Sequence, residues 1–164
     1  KADIIRSYHA VAIDRHNEDF VEIIRSQTNG RGVDHILDPI GGGHLKRSLS
    51  VLAQGGKLYT YGMSSAAPSS KRSLWKALKA LRSRPRFDPM LMMSRNQGVF
   101  GVHMGTWSDE EAMQEQMLNI LRGIKEGALT PIIDSVYDAK DVASAHQHID
   151  DGKNIGKVLL KFVD

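Results

Sequence analysis

Cysteine is absent from all 164 residues. That removes disulfides, thiolate zinc sites and cysteine nucleophiles, and it agrees with a reducing cytoplasm without requiring one. No run of about 18 apolar residues occurs, so no membrane-spanning helix is expected. The opening Lys1-Ala2-Asp3 has neither the apolar stretch of a signal peptide nor an initiator methionine, so a fragment or processed product is expected. Phosphate-binding signatures are missing too. No Gly-x-Gly-x-x-Gly follows a strand, no Gly-x-x-x-x-Gly-Lys-Ser/Thr occurs, and Gly41-Gly42-Gly43 opens a helix with the wrong spacing. Read by themselves, these residues cradle no pyrophosphate. Ser64 and Ser65 lack the Gly-x-Ser-x-Gly elbow and a partnered histidine, which leaves them as turn or ligand-contact residues.

What is present suits a globular chain of one domain's length, 41% hydrophobic and 25% charged. The net charge of +3 is too small to argue for nucleic acid, and no nucleic-acid partner is expected. Its distribution is uneven. Seven cations (Lys71, Arg72, Lys76, Lys79, Arg82, Arg84, Arg86) fall in a stretch without a carboxylate, and all 19 carboxylates lie outside it.

Read in order, residues 3–8 end a helix and 9–14 form a short strand. Asn17 caps a helix that buries Phe20, Ile23 and Ile24, and Asn29-Gly30 stops it. Val33–Asp38 is a second strand, 44–53 a helix with Leu45, Leu49 and Leu52 inward, and 57–61 a third strand entered through Gly55-Gly56. After a small polar loop, 73–83 is a basic amphipathic helix, broken by Arg84-Pro85 through Pro89. Residues 98–103 make a fourth strand. Ser108 with Glu111 forms a capping box for a helix to about 126. Residues 131–137 are extended, a helix starts at Asp138, and 157–163 is the last strand. Strands alternating with helices imply parallel strands in a doubly wound α/β sheet.

Such sheets bind ligands beyond the carboxyl ends of their strands. Those ends read Asp38-Pro39-Ile40-Gly41-Gly42, Tyr61-Gly62-Met63-Ser64-Ser65 and Val102-His103-Met104-Gly105. Each set of small residues could simply make a tight turn, but three in succession favour a binding lip. His103, at one strand end, either faces a ligand or is satisfied by neighbouring backbone. His146 and His148, two apart on a helix, do not share a face and are not read as metal ligands. The basic stretch 71–86 admits three readings: a solvated face, a grip on anionic lipid, or the edge of a site or partner surface.

Several segments carry a resemblance: Asn17–Glu22, Gly30–Asp34, Leu37-Asp-Pro-Ile-Gly-Gly42, Gly56–Gly62 and Asn154-Ile-Gly-Lys-Val-Leu-Leu160. In these the chain resembles the medium-chain dehydrogenase/reductase superfamily, specifically its zinc-free quinone-oxidoreductase branch. Tyr61–Ser65, the basic insert and Phe100–His103 are similar to the synaptic-vesicle membrane protein subgroup. The resemblance covers nearly the whole chain. It implies a truncated Rossmann sheet lacking its first two strands, with residues 1–128 an incomplete nucleotide-binding domain and 129–164 returning toward an absent GroES-like substrate domain. It implies NADP(H) as cofactor and hydride transfer to a quinone or an α,β-unsaturated carbonyl, by a parent protein of which this part is inactive. Pro39 and Gly41 would line the cofactor, and Gly62, Met63 and Ser64 would lie under the nicotinamide ribose. Backbone at Phe100, His103 and Met104 would face the carboxamide, and Asn154 and Lys157 the phosphates. Arg15 stands where relatives often have a tyrosine beside the adenine. No catalytic residue and no metal ligand is implied.

Two structural expectations follow. With a strand order of 3-2-1-4-5-6, losing strands 1 and 2 strands residues 9–14 away from residues 33–38. The gap is expected to close, by strand 9–14 sliding beside its neighbour or by a strand borrowed from another chain. The resemblance also implies a homodimer through the uncharged edge 98–104. The expected setting is cytoplasmic, with peripheral membrane contact through 71–86 as an alternative role.

Overall fold

The structure is a computed structural model that describes residues 1–64, 78, 82 and 86–162. The chain divides into two compact units, Ala2–Trp107 and Ser108–Asp164, the latter including Lys1. The expected boundary at 128/129 falls inside the second unit, between its long helix and its first strand.

The first unit opens with α1 (Ala2–Ser7) and α2 (Phe20–Gln27). Asp19 caps α2, its carboxylate accepting from Val21 N at 2.8 Å, so the cap is two residues later than the Asn17 expected. Asn17 instead donates to Asp14 in the preceding turn. Next come β1 (Val33–Asp38), α3 (His44–Ser50), β2 (Leu52–Thr60), α4 (Pro89–Arg95) and β3 (Gly98–Gly101). The strands form one parallel sheet in the order β1-β2-β3. β2 begins five residues before the expected strand and runs through Gly55-Gly56, which are therefore no turn between elements. Gly55, at φ +77°, is instead accommodated where the β1–β2 register slips between Val33 and His35. α4 was not anticipated. Asp88 caps it through Met90 N, and Pro89 sits at its first position, where a missing N–H costs nothing.

Ile36, Leu58 and Val99 stand side by side across the three strands. They meet Leu45 and Leu49 of α3 and Leu52 in the core, where Leu58 is fully buried. Because side chains alternate along a strand, Leu37, Tyr59 and Phe100 share the opposite face, with Tyr59 stacked on Phe100 at 5.3 Å.

Residues 9–14 are not a strand. The backbone there pairs with no strand among the described residues, so the expected slide beside β1 does not occur. Local hydrogen bonds take over at its ends, with Ala10 N donating to Ile5 O and Asn17 N to Asp14 O.

The second unit holds α5 (Glu110–Lys125), β4 (Ile133–Asp138), α6 (Val142–Asp150) and β5 (Lys157–Lys161), with β4 and β5 parallel. Asp109, not the expected Ser108, caps α5 by accepting from Ala112 N. A 3-10 turn at Ala139–Asp141 precedes α6, which starts later than the expected Asp138. Asp134 accepts from Ile155 N and pairs with His148 at 2.8 Å, tying the β5 approach to both β4 and α6. The basic helix expected at 73–83 lies outside the described residues except for Leu78 and Arg82.

Candidate functional site

In the first unit the carboxyl ends of the three strands are joined into one lip. Tyr61 N donates to Asp38 O at 3.1 Å, Ser64 N to Pro39 O at 3.1 Å, and Val102 N to Thr60 O at 2.9 Å. The approach is close enough to demand glycine. A Cβ on Gly62 would stand 2.5 Å from the Pro39 carbonyl oxygen, and one on Gly41 3.1 Å from Gly62 O. Gly41 also has φ +72°, a conformation that side chains disfavour.

Asp38 builds the first part of this lip from below. It is 1% exposed, yet its carboxylate is fully used. One oxygen accepts from Ile40 N and Gly41 N at 2.8 and 2.9 Å, and the other from Ser48 Oγ at 2.9 Å and His44 Nδ1 at 2.8 Å. Burial pushes this carboxyl up, but the donors, led by Gly41 N and His44, outweigh burial and hold it below its ordinary value. Phe20 of α2 stacks on the His44 ring at 4.9 Å. The Asp38–His44–Ser48 group was not singled out in the sequence. An aspartate directly before the Pro39 turn, with a histidine and a serine one helical turn apart on the following helix, was its only signal.

Above β2 and β3 opens a cavity of about 740 Å³, lined by Thr60–Met63, Gly101–His103, Thr106 and Trp107. Its walls combine apolar Met63, Val102 and Trp107 with Tyr61 and His103, the mix of apolar surface and few polar groups that suits an organic ligand. Of the residues expected to contact a cofactor, Gly62, Met63 and His103 line this cavity, and Pro39, Gly41 and Ser64 join it through the lip. Met104 opens the 3-10 turn at Met104–Thr106, beside the lining. Phe100 points elsewhere, its ring stacked on Tyr59 on the exposed sheet face, which leaves only its backbone at the strand. Arg15 lies in the turn after residues 9–14, donating to His16 Nε2, and is no part of the lip. Asn154 and Lys157 belong to the second unit, where Asn154 Nδ2 donates to Gly156 O and Lys157 N to Ile132 O. Thr106 and Trp107 were missed in the sequence because they lie beyond the end of β3 instead of ending it.

A smaller cavity of about 300 Å³ lies at the amino ends of the strands, with Arg25, Arg31 and Arg95 in its lining. Arg25 and Arg95 sit in the last turns of α2 and α4, where cations answer the partial negative charge of helix carbonyls. Arg31 is paired with Asp34.

The family model described as zinc-binding dehydrogenase matches residues 9–160. The synaptic vesicle membrane protein VAT-1 homolog of Rattus norvegicus is 32% identical over 149 residues, covering 90% of this chain and 37% of that protein. Quinone oxidoreductase of Homo sapiens is 24% identical over 159 residues, covering 96% of this chain and 43% of that protein. Among solved structures, the human synaptic vesicle membrane protein VAT-1 homolog-like protein superposes with a TM-score of 0.69 at 20% identity, over 98% of this chain and 42% of its own. The chain thus spans about two fifths of the length of these relatives. A zinc ion does not fit the residues present: there is no cysteine, and among the described residues no three of His, Asp and Glu gather to hold an ion. On its sequence match and its parallel α/β fold, the chain belongs to the zinc-binding dehydrogenase family of medium-chain oxidoreductases.

Proposed function

We propose that this chain is the nicotinamide-side part of an NADPH-dependent oxidoreductase that passes hydride to a quinone or an α,β-unsaturated carbonyl, and that it is inactive by itself. The observation that carries the reading is the continuous lip formed by 38–41, 61–64 and 101–103 beside an apolar cavity. A flat ring laid on that lip would meet glycine on two sides and apolar side chains on a third. Pro39, Gly41, Gly62, Met63, Ser64, His103 and Met104 would bind and orient it, and the nicotinamide would supply the hydride. The similarity to human quinone oxidoreductase supports the acceptor class. The test is NADPH binding, by fluorescence, to this chain and to a version extended with the glycine-rich turn. Binding only by the extended version is expected; no binding by either would overturn the reading.

A second reading is a membrane-surface module that uses residues 71–86. Seven cations without a carboxylate favour it, as do relatives named vesicle membrane proteins. Among the described residues no helix is long and apolar enough to cross a membrane, so contact would be at the headgroup surface. Binding to anionic vesicles that falls with salt and is lost in the double variant Lys76→Glu, Lys79→Glu would favour this reading. Binding indifferent to both would end it.

A further inference from the structure

We propose that the cavity at the amino ends of the strands is an anion site that takes a cluster of phosphate groups. It lies at the other end of the sheet from the lip, and it does not depend on the hydride reading. Three segments meet there: the turn after α2, the start of β2 and the end of α4. They bring Arg25, Arg31 and Arg95 to one cavity of about 300 Å³ whose described lining holds no carboxylate. Small-molecule sites span roughly 300–1,000 Å³, so the space suits a compact ligand.

The walls are fixed by the fold. Gly32 lets the turn after α2 close on β2, because φ is +86° there and a Cβ would run into the Val51 carbonyl oxygen. Val51 and Leu52 are buried, at 2% and 5% exposure. Gln97 Nε2 donates to Leu52 O and Ala53 O at 2.8 and 3.1 Å, which ties the end of α4 to the start of β2.

Arg25 and Arg95 stand at helix ends, where a cation balances the carbonyl dipoles. Those carbonyls already hold donors, however. Ile24 O accepts from Thr28 N, Arg25 O from Gly30 N, Met92 O from Gln97 N and Met93 O from Asn96 N. The hydroxyls of Ser50 and Ser94 donate to Arg47 O and Leu91 O. Among the described residues, the arginine ion pairs are those of Arg6, Arg31 and Arg47, which leaves Arg25 and Arg95 without one. Their guanidiniums are the principal uncommitted donors of the cavity.

A second cavity shares Ser50, Arg95 and Gln97 with the first and adds Lys46 and Arg86. Its one carboxylate, Asp88, is committed to the cap of α4. Lys46 and Arg86 also form no ion pair among the described residues, where the paired lysines are Lys140 and Lys153. A recess lined by one sign of charge concentrates counter-ions. Arg25, Arg95, Lys46 and Arg86 ask for more negative charge than a single carboxylate brings. Linked phosphates bring it, and the planar guanidinium fork matches their oxygens two at a time. The same chemistry would read phosphates on a soluble molecule or on a lipid headgroup.

The test is calorimetry of inorganic triphosphate with the 164-residue chain at fixed ionic strength. Binding is expected, weakened about 10–100-fold in Arg25→Gln and in Arg95→Gln, the range for losing one charge-assisted contact. Two control pairs, Arg122→Gln with Lys125→Gln and Lys76→Gln with Lys79→Gln, remove more charge elsewhere and should matter far less. Phosphatidylcholine vesicles with and without bisphosphorylated inositol headgroups identify the source of the phosphates. Arginine-dependent capture by the phosphorylated vesicles, tighter than binding of triphosphate, supports the site with a lipid ligand. Arginine-dependent triphosphate binding without that gain supports it with a soluble one. No binding of either probe would overturn the site. So would binding that the arginine variants leave intact, or that a control pair weakens as much.

Discussion

Asp38 shows how one buried residue can hold a binding lip in shape. Its carboxylate takes four donors from the turn and from α3, so removing a charge there leaves several of them unsatisfied at once. Asp38→Ala should cost about 1–3 kcal/mol by urea unfolding, the range for orphaning buried polar partners. The same network sets a pH dependence. The folded carboxyl is held below its ordinary value of 3.8, so the unfolded chain takes up the proton first as pH falls. The stabilisation is fully present above the unfolded value and is lost as pH drops through the folded one. Urea midpoints should be flat with respect to this group above about pH 5 and decline below pH 4, with a shallower decline in Asp38→Asn. Gly62 is the other single residue on which the lip depends. Gly62→Ala places a methyl 2.5 Å from the Pro39 oxygen and should cost about 1–3 kcal/mol while spreading the two turns apart.

At the scale of elements, legibility followed the length and regularity of each pattern. β1, α3, α5 and β5 were readable because apolar spacing and glycine stops agree along them. The caps of α2 and α5 were read two and one residues early, since several neighbouring polar residues can cap and only the backbone path selects Asp19 and Asp109. Asp109→Ala should therefore destabilise α5 by about 1 kcal/mol, and Ser108→Ala should do little, as judged by thermal unfolding of the paired variants. α4 was hidden behind Asp88-Pro89, which reads as a break until Pro89 is placed at a helix start. Residues 9–14 carry the composition of a strand without a neighbour to pair with, and composition does not report neighbours. At the centre of the sheet, Leu58→Ala should cost about 2–5 kcal/mol, because it empties the point where α3 meets all three strands.

For the molecule as a whole, the outer edges of the β1-β2-β3 sheet pair with no other strand among the described residues. Val102 N faces β2, so alternation directs the Gly101 N–H to the outer edge of β3. If two copies join edge to edge there, Gly101→Pro should remove a bridging donor and turn a sedimenting dimer into a monomer, with the far-ultraviolet spectrum unchanged. A monomer in both forms would set aside the dimer expected from the family.

The sequence alone determined the class of fold, the family, and the glycine-punctuated turns that end successive strands. These are written in local periodicity and in residues whose backbone freedom nothing else supplies. The structure decided that Asp38 underpins the lip, that Thr106 lies within hydrogen-bonding distance of the His103 ring, that Phe100 turns to the opposite face and that residues 9–14 pair with no described strand. Each of these depends on which groups come within hydrogen-bonding or stacking distance, and that is settled by the packing of α3 and the register of three strands, not by any one segment's own preference.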